Sequence, residues 1–233
     1  MLLEIKNLKK EYERDGGAFH AVDGAELSVA EGDFVGINGP SGSGKSTLLN
    51  MIAGLLEPTS GSIVFGGREL VGMDDNALSL LRNNEIGVIP QGQSVLTNLS
   101  VLDNVLLPFY FHKKLRDAES MAHSLLDRMG IQNLADAYPL QLSGGELRRT
   151  AIARSLINSP KMLLADEPTV DLDPKNAEEV MRIFCDISRD GTAVILVSHE
   201  EGIVRRGNRH FFMESGRPKE VSESGAEFPA SIF

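Results

Sequence analysis

The sequence of 233 residues is short of cysteine and of basic residues, and each shortage excludes a class of protein. Its one cysteine, Cys185, rules out an intrachain disulfide and leaves a cysteine metal cluster without ligands. Acidic residues number 33 against 23 basic ones, and no Lys/Arg-rich block forms the face that nucleic-acid binding requires. DNA or RNA is therefore disfavoured as the main partner.

Long apolar runs are missing as well. A run such as residues 105–111 falls far short of the roughly 20 residues that a membrane-spanning helix needs. The first six residues lack the basic-then-apolar layout of a signal peptide. We therefore expect a cytoplasmic protein, which a membrane partner could hold at the inner face of the cell membrane.

Residues 39–47 form a glycine-rich loop suited to a polyphosphate. Glycines let the backbone point its N–H groups at phosphate oxygens, Lys45 brings a charge to the outer phosphates, and Ser46 is placed to bind Mg²⁺. A short apolar strand precedes the loop and a predicted helix follows it, whereas a chance Gly/Ser-rich linker would lack this frame. The loop comprises Gly39, Pro40, Ser41, Gly42, Ser43, Gly44, Lys45, Ser46 and Thr47.

Residues 162–167 predict an apolar strand that ends in two carboxylates. Acidic residues at the end of a buried strand are costly unless the charge has a role. In a protein with a phosphate loop, Asp166 can hold Mg²⁺ and Glu167 can polarise the water that attacks the γ-phosphate. The alternative is a strand that simply runs into a polar turn at Pro168.

Residues 142–146 place a serine and two glycines at the start of a predicted helix. Ser143 is a favourable N-cap, and the N–H groups at Gly144 and Gly145 lie at the positive end of the helix dipole. This is a second anion-binding pattern, although an ordinary capped helix would look the same.

In this order, the three stretches resemble the Walker A, signature and Walker B motifs of the nucleotide-binding subunits of ABC transporters, with Glu146 in place of the usual signature glutamine. The resemblance covers residues 2–217. It implies an α/β P-loop NTPase fold with a RecA-like core, an N-terminal antiparallel β layer and an inserted helical subdomain. It also implies ATP and Mg²⁺ as ligands, and two copies paired head to tail, so that the signature of one closes over the ATP of the other.

The resemblance assigns further site residues position by position. Gln91 corresponds to the glutamine that touches the metal, and His199 to the switch histidine that contacts the γ-phosphate. Tyr12 corresponds to the aromatic that stacks on adenine, and Asp173 to the acid that crosses the dimer interface. Considered alone, Gln91 would be a loop glutamine, His199 a strand-end histidine and Tyr12 a surface tyrosine.

The sequence departs from the family pattern at two places. Pro90 stands where many relatives have an aromatic, and it fixes the backbone before Gln91 differently. Val170 and Asp171 replace smaller or uncharged residues in the segment that leads to Asp173. The first departure concerns signalling to a partner, and the second concerns communication between the two copies.

The predicted elements form a single ATPase domain over residues 1–233. Residues 1–91 and 159–217 make the catalytic core with its β layer, residues 92–158 the helical subdomain, and residues 218–233 a C-terminal tail. From Glu214 onward, abundant Ser, Gly, Glu and Pro predict a loosely ordered end.

The resemblance implies an ATP-hydrolysing subunit that acts with a separate transmembrane permease subunit and a second ATPase subunit, expected to be an identical copy. Residues 12–21, 46–60 and 102–108 look most like the lipoprotein-release and macrolide-export type. The rival is a non-transport ABC ATPase that acts on nucleic acid or ribosomes; such proteins usually carry two cassettes, a coiled-coil insert or basic surfaces. A small-molecule kinase would leave residues 142–146 unexplained.

Overall fold

A computed structural model describes residues 1–14, 17–92, 94–111 and 117–221, which form two sheets and a group of helices. The strands are β1 (Leu3–Arg14), β2 (Gly17–Val29), β3 (Phe34–Asn38), β4 (Ser60–Phe65), β5 (Arg68–Glu69), β6 (Ile86–Ile89), β7 (Met162–Asp166), β8 (Ala193–Val197), β9 (Arg209–Glu214) and β10 (Arg217–Val221). The helices are α1 (Lys45–Ile52), α2 (Asp75–Asn84), α3 (Val101–Tyr110), α4 (Ala118–Arg128), α5 (Gly144–Leu156), α6 (Pro174–Arg189) and α7 (Glu201–Val204), with 3-10 turns at Gln132–Leu134 and Pro139–Gln141.

The larger sheet has the strand order β10-β9-β3-β8-β7-β6, and its members from β9 to β6 run parallel. Every residue of β3 and β8 is buried, and accordingly both sequences are apolar apart from Asn38 at the end of β3. Because parallel strands end at the same edge, the loops after β3, β7 and β8 meet there. The phosphate loop and the acidic end of β7 therefore lie at the same edge of the sheet.

The smaller sheet, β2-β1-β4-β5, is antiparallel and confirms the predicted N-terminal β layer. One hydrophobic cluster joins its inner face to α1 and to one face of the parallel sheet, with Leu3, Phe65, Leu48 and Ile195 among its fully buried members. Helix α1 is therefore a core element, so the loop before it sits on a rigid support.

Helices α3, α4 and α5 pack around a second cluster that includes Val105, Leu126 and Ile152. The fully buried Asn104 organises the segment before α3, because its side chain accepts from the Leu96 N–H at 2.8 Å and donates to the Leu96 carbonyl at 3.0 Å. These helices agree with the expected helical subdomain, and its limits at residues 92 and 158 stay a prediction. In the part of the chain that the structure describes, no helix is long and apolar enough to span a membrane.

The prediction of a loosely ordered end from Glu214 onward, and of a tail from residue 218, is wrong as far as Val221. Strand β10 pairs antiparallel with β9 across a tight turn at residues 215–216, where both residues are left-handed. The Arg209 guanidinium holds the Glu220 carboxylate in a bidentate pair at 2.7 and 2.9 Å. The turn residues and this ion pair stabilise the strand, although its polar composition predicted a loosely ordered segment. Residues 222–233 lie outside the described residues.

Candidate nucleotide-binding site

A cleft of about 850 Å³ opens where the carboxyl edge of the parallel sheet meets the β1–β2 hairpin. The structure brings most of the predicted site residues together there, although they lie up to 187 positions apart in the sequence. The predicted residues that line the cleft are Tyr12, Ser41, Gly42, Gly44, Lys45, Ser46, Thr47, Gln91, Glu167 and His199.

The phosphate loop joins β3 to α1 and passes very close to other parts of the backbone. A Cβ on Gly39 would lie 2.1 Å from the Met213 carbonyl oxygen, and one on Gly44 would lie 2.0 Å from that of Ala21. Both glycines have positive φ angles, 155° and 102°. Glycine is therefore required at both positions by space as well as by conformation.

Lys45 is folded against its own loop. Its ammonium donates hydrogen bonds to the carbonyl oxygens of Gly39 at 2.7 Å and Pro40 at 2.9 Å. Burial lowers the pKa of Lys45, while the carboxylates of Glu167 and Asp166 act in the opposite direction. The Ser43 hydroxyl nearby is buried without a hydrogen-bond partner within the described ranges. The loop thus contains an ammonium group and a hydroxyl group that could donate hydrogen bonds to phosphate oxygens.

Asp166 ends β7 and faces Ser46. Burial raises the pKa of Asp166, and a hydrogen bond from the Ser46 side chain opposes this shift. Among the described residues, the Oδ1 atom of Asp166 is buried without a hydrogen-bond partner. Ser46, Asp166 and Gln91 offer only oxygen ligands of the kind that Mg²⁺ prefers when substrate phosphates complete its coordination. The residues present therefore fit Mg²⁺.

Glu167 is held at the wall of the cleft with both carboxylate oxygens occupied. The Ser198 hydroxyl donates to Oε2 at 3.0 Å, the His199 N–H donates to Oε1 at 3.1 Å, and His199 Nδ1 lies 3.0 Å from Oε1. Glu167 also adopts a left-handed backbone with φ of 46°, which is uncommon for a non-glycine residue and recurs at functional sites. Only 8% of Glu167 is exposed, so its carboxylate is tightly positioned.

Sequence reasoning missed Ser198 and Phe19. Ser198 is fully buried, and its place next to His199 at the end of β8 was the available signal. Phe19 pairs with Tyr12 across the β1–β2 ladder, and the two rings stack with centroids 6.0 Å apart at 20°. Both rings are 38% exposed at the cleft, so an aromatic surface is available to a nucleobase.

The signature-like stretch lies apart from this cleft. Ser143 caps α5 in a capping box: its N–H and its hydroxyl both donate to Glu146 Oε2 at 2.8 Å, and these bonds lower the pKa of Glu146. Asp173 caps α6 by accepting from the Lys175 and Asn176 N–H groups at 3.0 and 3.1 Å. Ser143, Gly144 and Asp173 are exposed, whereas Gly145 is buried against α6. The second anion-binding pattern therefore faces solvent within one copy.

Known proteins resemble this chain in sequence and in fold. A family model described as ABC transporter matches residues 22–170. The chain is 40% identical over 215 residues to the macrolide export ATP-binding/permease protein MacB of Chlorobaculum tepidum, a match that covers 92% of this chain and 33% of that protein. The chain thus spans about a third of the length of this relative.

Among solved structures, two dimeric structures of the ATP-binding cassette MJ0796, one of them a post-hydrolysis state bound to ADP and Pi, share 35% identity with the chain. Each has a TM-score of 0.87 and covers 97% of this chain and 100% of the other. A nucleotide-free cassette from an ABC transporter is 26% identical with a TM-score of 0.79, over 94% of this chain and 90% of the other. Fold, cleft and family model agree: the chain belongs to the ABC transporter family, as an ATP-binding and ATP-hydrolysing cassette.

Proposed function

We propose that the chain is the ATPase subunit of a membrane transport complex, in which two identical copies enclose two MgATP and drive a separate transmembrane subunit. The observation that carries the proposal is the division of the site. Lys45, Glu167 and His199 line one cleft, whereas Ser143 and Gly144 are exposed elsewhere. The exposed start of helix α5 can bind an anion, but it lies away from the cleft of its own copy. Head-to-tail pairing would bring it to the nucleotide held in the cleft of the second copy.

Each residue at the cleft has a role in this proposal. Tyr12 stacks on adenine, and residues 39–47 wrap the phosphates, with Lys45 exchanging its loop carbonyls for phosphate oxygens. Ser46, Asp166 and Gln91 would hold Mg²⁺, which would neutralise phosphate charge.

The reaction itself falls to Glu167 as general base. Its carboxylate accepts the proton of the attacking water, and Ser198 and His199 keep it oriented toward the cleft. His199 is well placed for the γ-phosphate because its side chain stays 56% exposed while one ring nitrogen contacts Glu167. The exposed Ser143 hydroxyl, together with Gly144, Gly145 and Asp173 of the second copy, closes the site from the other side.

A mixing experiment tests the shared site. Lys45→Ala and Ser143→Arg each disable one half of both sites, so each variant alone should be inactive. Random mixing makes half of the dimers heterodimers, each with one intact site, so up to about a quarter of the parent activity should return. In a matched control, mixing Lys45→Ala with Glu167→Gln should restore nothing, because both changes damage the same half. A first mixture as inactive as the control would refute the shared site.

A transmembrane partner is supported by the likeness to a relative named as an ATP-binding/permease protein, and by a groove that two exposed apolar side chains border. Leu80 and Phe111, which are 49% and 72% exposed, border a groove of about 630 Å³ beside α2. Such a groove suits a helix of a membrane protein, which would place the chain at the inner face of the membrane. The net charge of −10 disfavours nucleic acid.

Purification of the tagged chain from a mild-detergent extract tests the partner. A polytopic membrane protein recovered in stoichiometric amount supports the transport complex. The double variant Leu80→Asp/Phe111→Asp should lose this protein while keeping its own folded structure. Recovery of ribosomes or nucleic acid instead would favour the non-transport ABC ATPase.

A further inference from the structure

Arg148, on the second turn of α5, carries a largely buried charge. It is 8% exposed, and its Nη1 atom is buried with no hydrogen-bond partner in the part of the chain described. Its pKa is lowered by this burial. Burying a guanidinium is costly unless an anion and hydrogen bonds compensate it, so buried charges in proteins are normally paired. Arg148 therefore needs an anionic partner in some state of the protein.

Arg148 borders a cavity of about 100 Å³ where three functional segments meet. The segments contribute Gly92, Ser94 and Val95 from the loop after Gln91, the first turns of α5, and residues 170–172 after β7. The Ser94 hydroxyl is a second buried polar group at this cavity for which the described ranges supply no hydrogen-bond partner. The cavity is thus polar and incompletely satisfied.

Asp171 is an anion that could pair with Arg148. It lines the same cavity, and its charge attracts Arg148. Asp171 is exposed and has a left-handed backbone with φ of 64°. It lies in the short segment that leads from Glu167 to the N-cap of α6. A contact made at Asp171 would therefore fix the segment that carries Glu167.

We propose that Asp171 turns into the cavity and pairs with Arg148 when the nucleotide site closes, so that this ion pair fixes the segment after Glu167 against helix α5. Arg148 and Asp171 are then positioning residues: neither lines the nucleotide cleft, and they act through Glu167 and the signature-like helix start. The inference rests on the proposed roles of Glu167 and of the shared site. It gives the unusual Asp171 a partner within the same copy.

A double-mutant cycle tests the pair. Asp171→Asn and Arg148→Gln remove one charge each with little change in volume, and the double variant removes both. We expect each single variant to lower kcat about 3- to 30-fold with little change in the KM for MgATP. The double variant should have a kcat no lower than that of the less active single variant, because the second change removes no further interaction. Asp190→Asn, which breaks a surface ion pair with Arg128, serves as the matched control and should keep the parent kcat.

If the two single losses of kcat multiply in the double variant, the proposed pair is refuted. If Arg148→Gln does not fold, the Asp171→Asn variant alone provides the test, because Asp171 is exposed and its replacement should leave the fold intact. A kcat of Asp171→Asn equal to that of the parent would refute the inference. Failure of the proposed function is distinguishable, since it would appear as parent-rate hydrolysis by Glu167→Gln, whatever the outcome of the cycle.

Discussion

Replacing Glu167 by glutamine is the change that best isolates the proposed chemistry. The introduced amide has the size and shape of the carboxylate, so its oxygen can keep the hydrogen bond from the His199 N–H, and its NH₂ group can donate to the Ser198 hydroxyl, which rotates to accept. The fold and the nucleotide cleft should therefore survive. What the variant loses is a group able to accept the proton of the attacking water.

We expect turnover of Glu167→Gln to fall about 10²- to 10⁴-fold, the usual contribution of a general base, which corresponds to about 3 to 5 kcal/mol of activation free energy. Phosphate release under saturating MgATP gives the rate, and equilibrium titration should show that ATP binding persists. Glu31→Gln changes an exposed turn carboxylate in the same way and should keep the parent rate. Hydrolysis by Glu167→Gln at the rate of Glu31→Gln would refute Glu167 as the base.

Three further predictions concern the walls of the cleft. Gly44→Ala should abolish ATP binding in titration because its methyl group would meet the Ala21 carbonyl, whereas Gly202→Ala, with nothing within 4 Å, should bind ATP normally. Tyr12→Ala should raise the KM for ATP about 5- to 100-fold and leave kcat nearly unchanged, since a base–aromatic stack contributes about 1–3 kcal/mol; an unchanged KM would remove Tyr12 from the adenine site. Ser198→Ala should lower kcat about 10- to 150-fold with an unchanged KM, because a hydrogen bond to a charged group contributes about 1.5–3 kcal/mol; parent kcat would mean that Ser198 does not orient Glu167.

The sequence predicted the elements whose patterns are local. The phosphate loop and the acid-ended strand β7 lie where the glycine spacing and an apolar run predicted them. Strand β10 was missed because the Arg209–Glu220 pair that secures it joins two residues whose contact is visible only after the turn has formed.

The sequence predicted the site residues that belong to local motifs. It did not predict the residues that reach the site only through strand pairing. Phe19 becomes a neighbour of Tyr12 only through the register of the hairpin, and Ser198 meets Glu167 only because β7 and β8 are adjacent. The position of Pro90 explains why a proline is tolerated there. Pro90 follows β6, the edge strand of the parallel sheet, so its missing N–H breaks no ladder hydrogen bond.

The central claim is that ATP is held between two copies of this chain, and the mass of the trapped protein tests it most directly. Light scattering of Glu167→Gln with MgATP should show a rise from 25.3 kDa to twice that value. The same variant carrying Ser143→Arg should bind ATP and stay at the mass of one copy. A Glu167→Gln protein that remains at 25.3 kDa when saturated with MgATP would contradict the shared site.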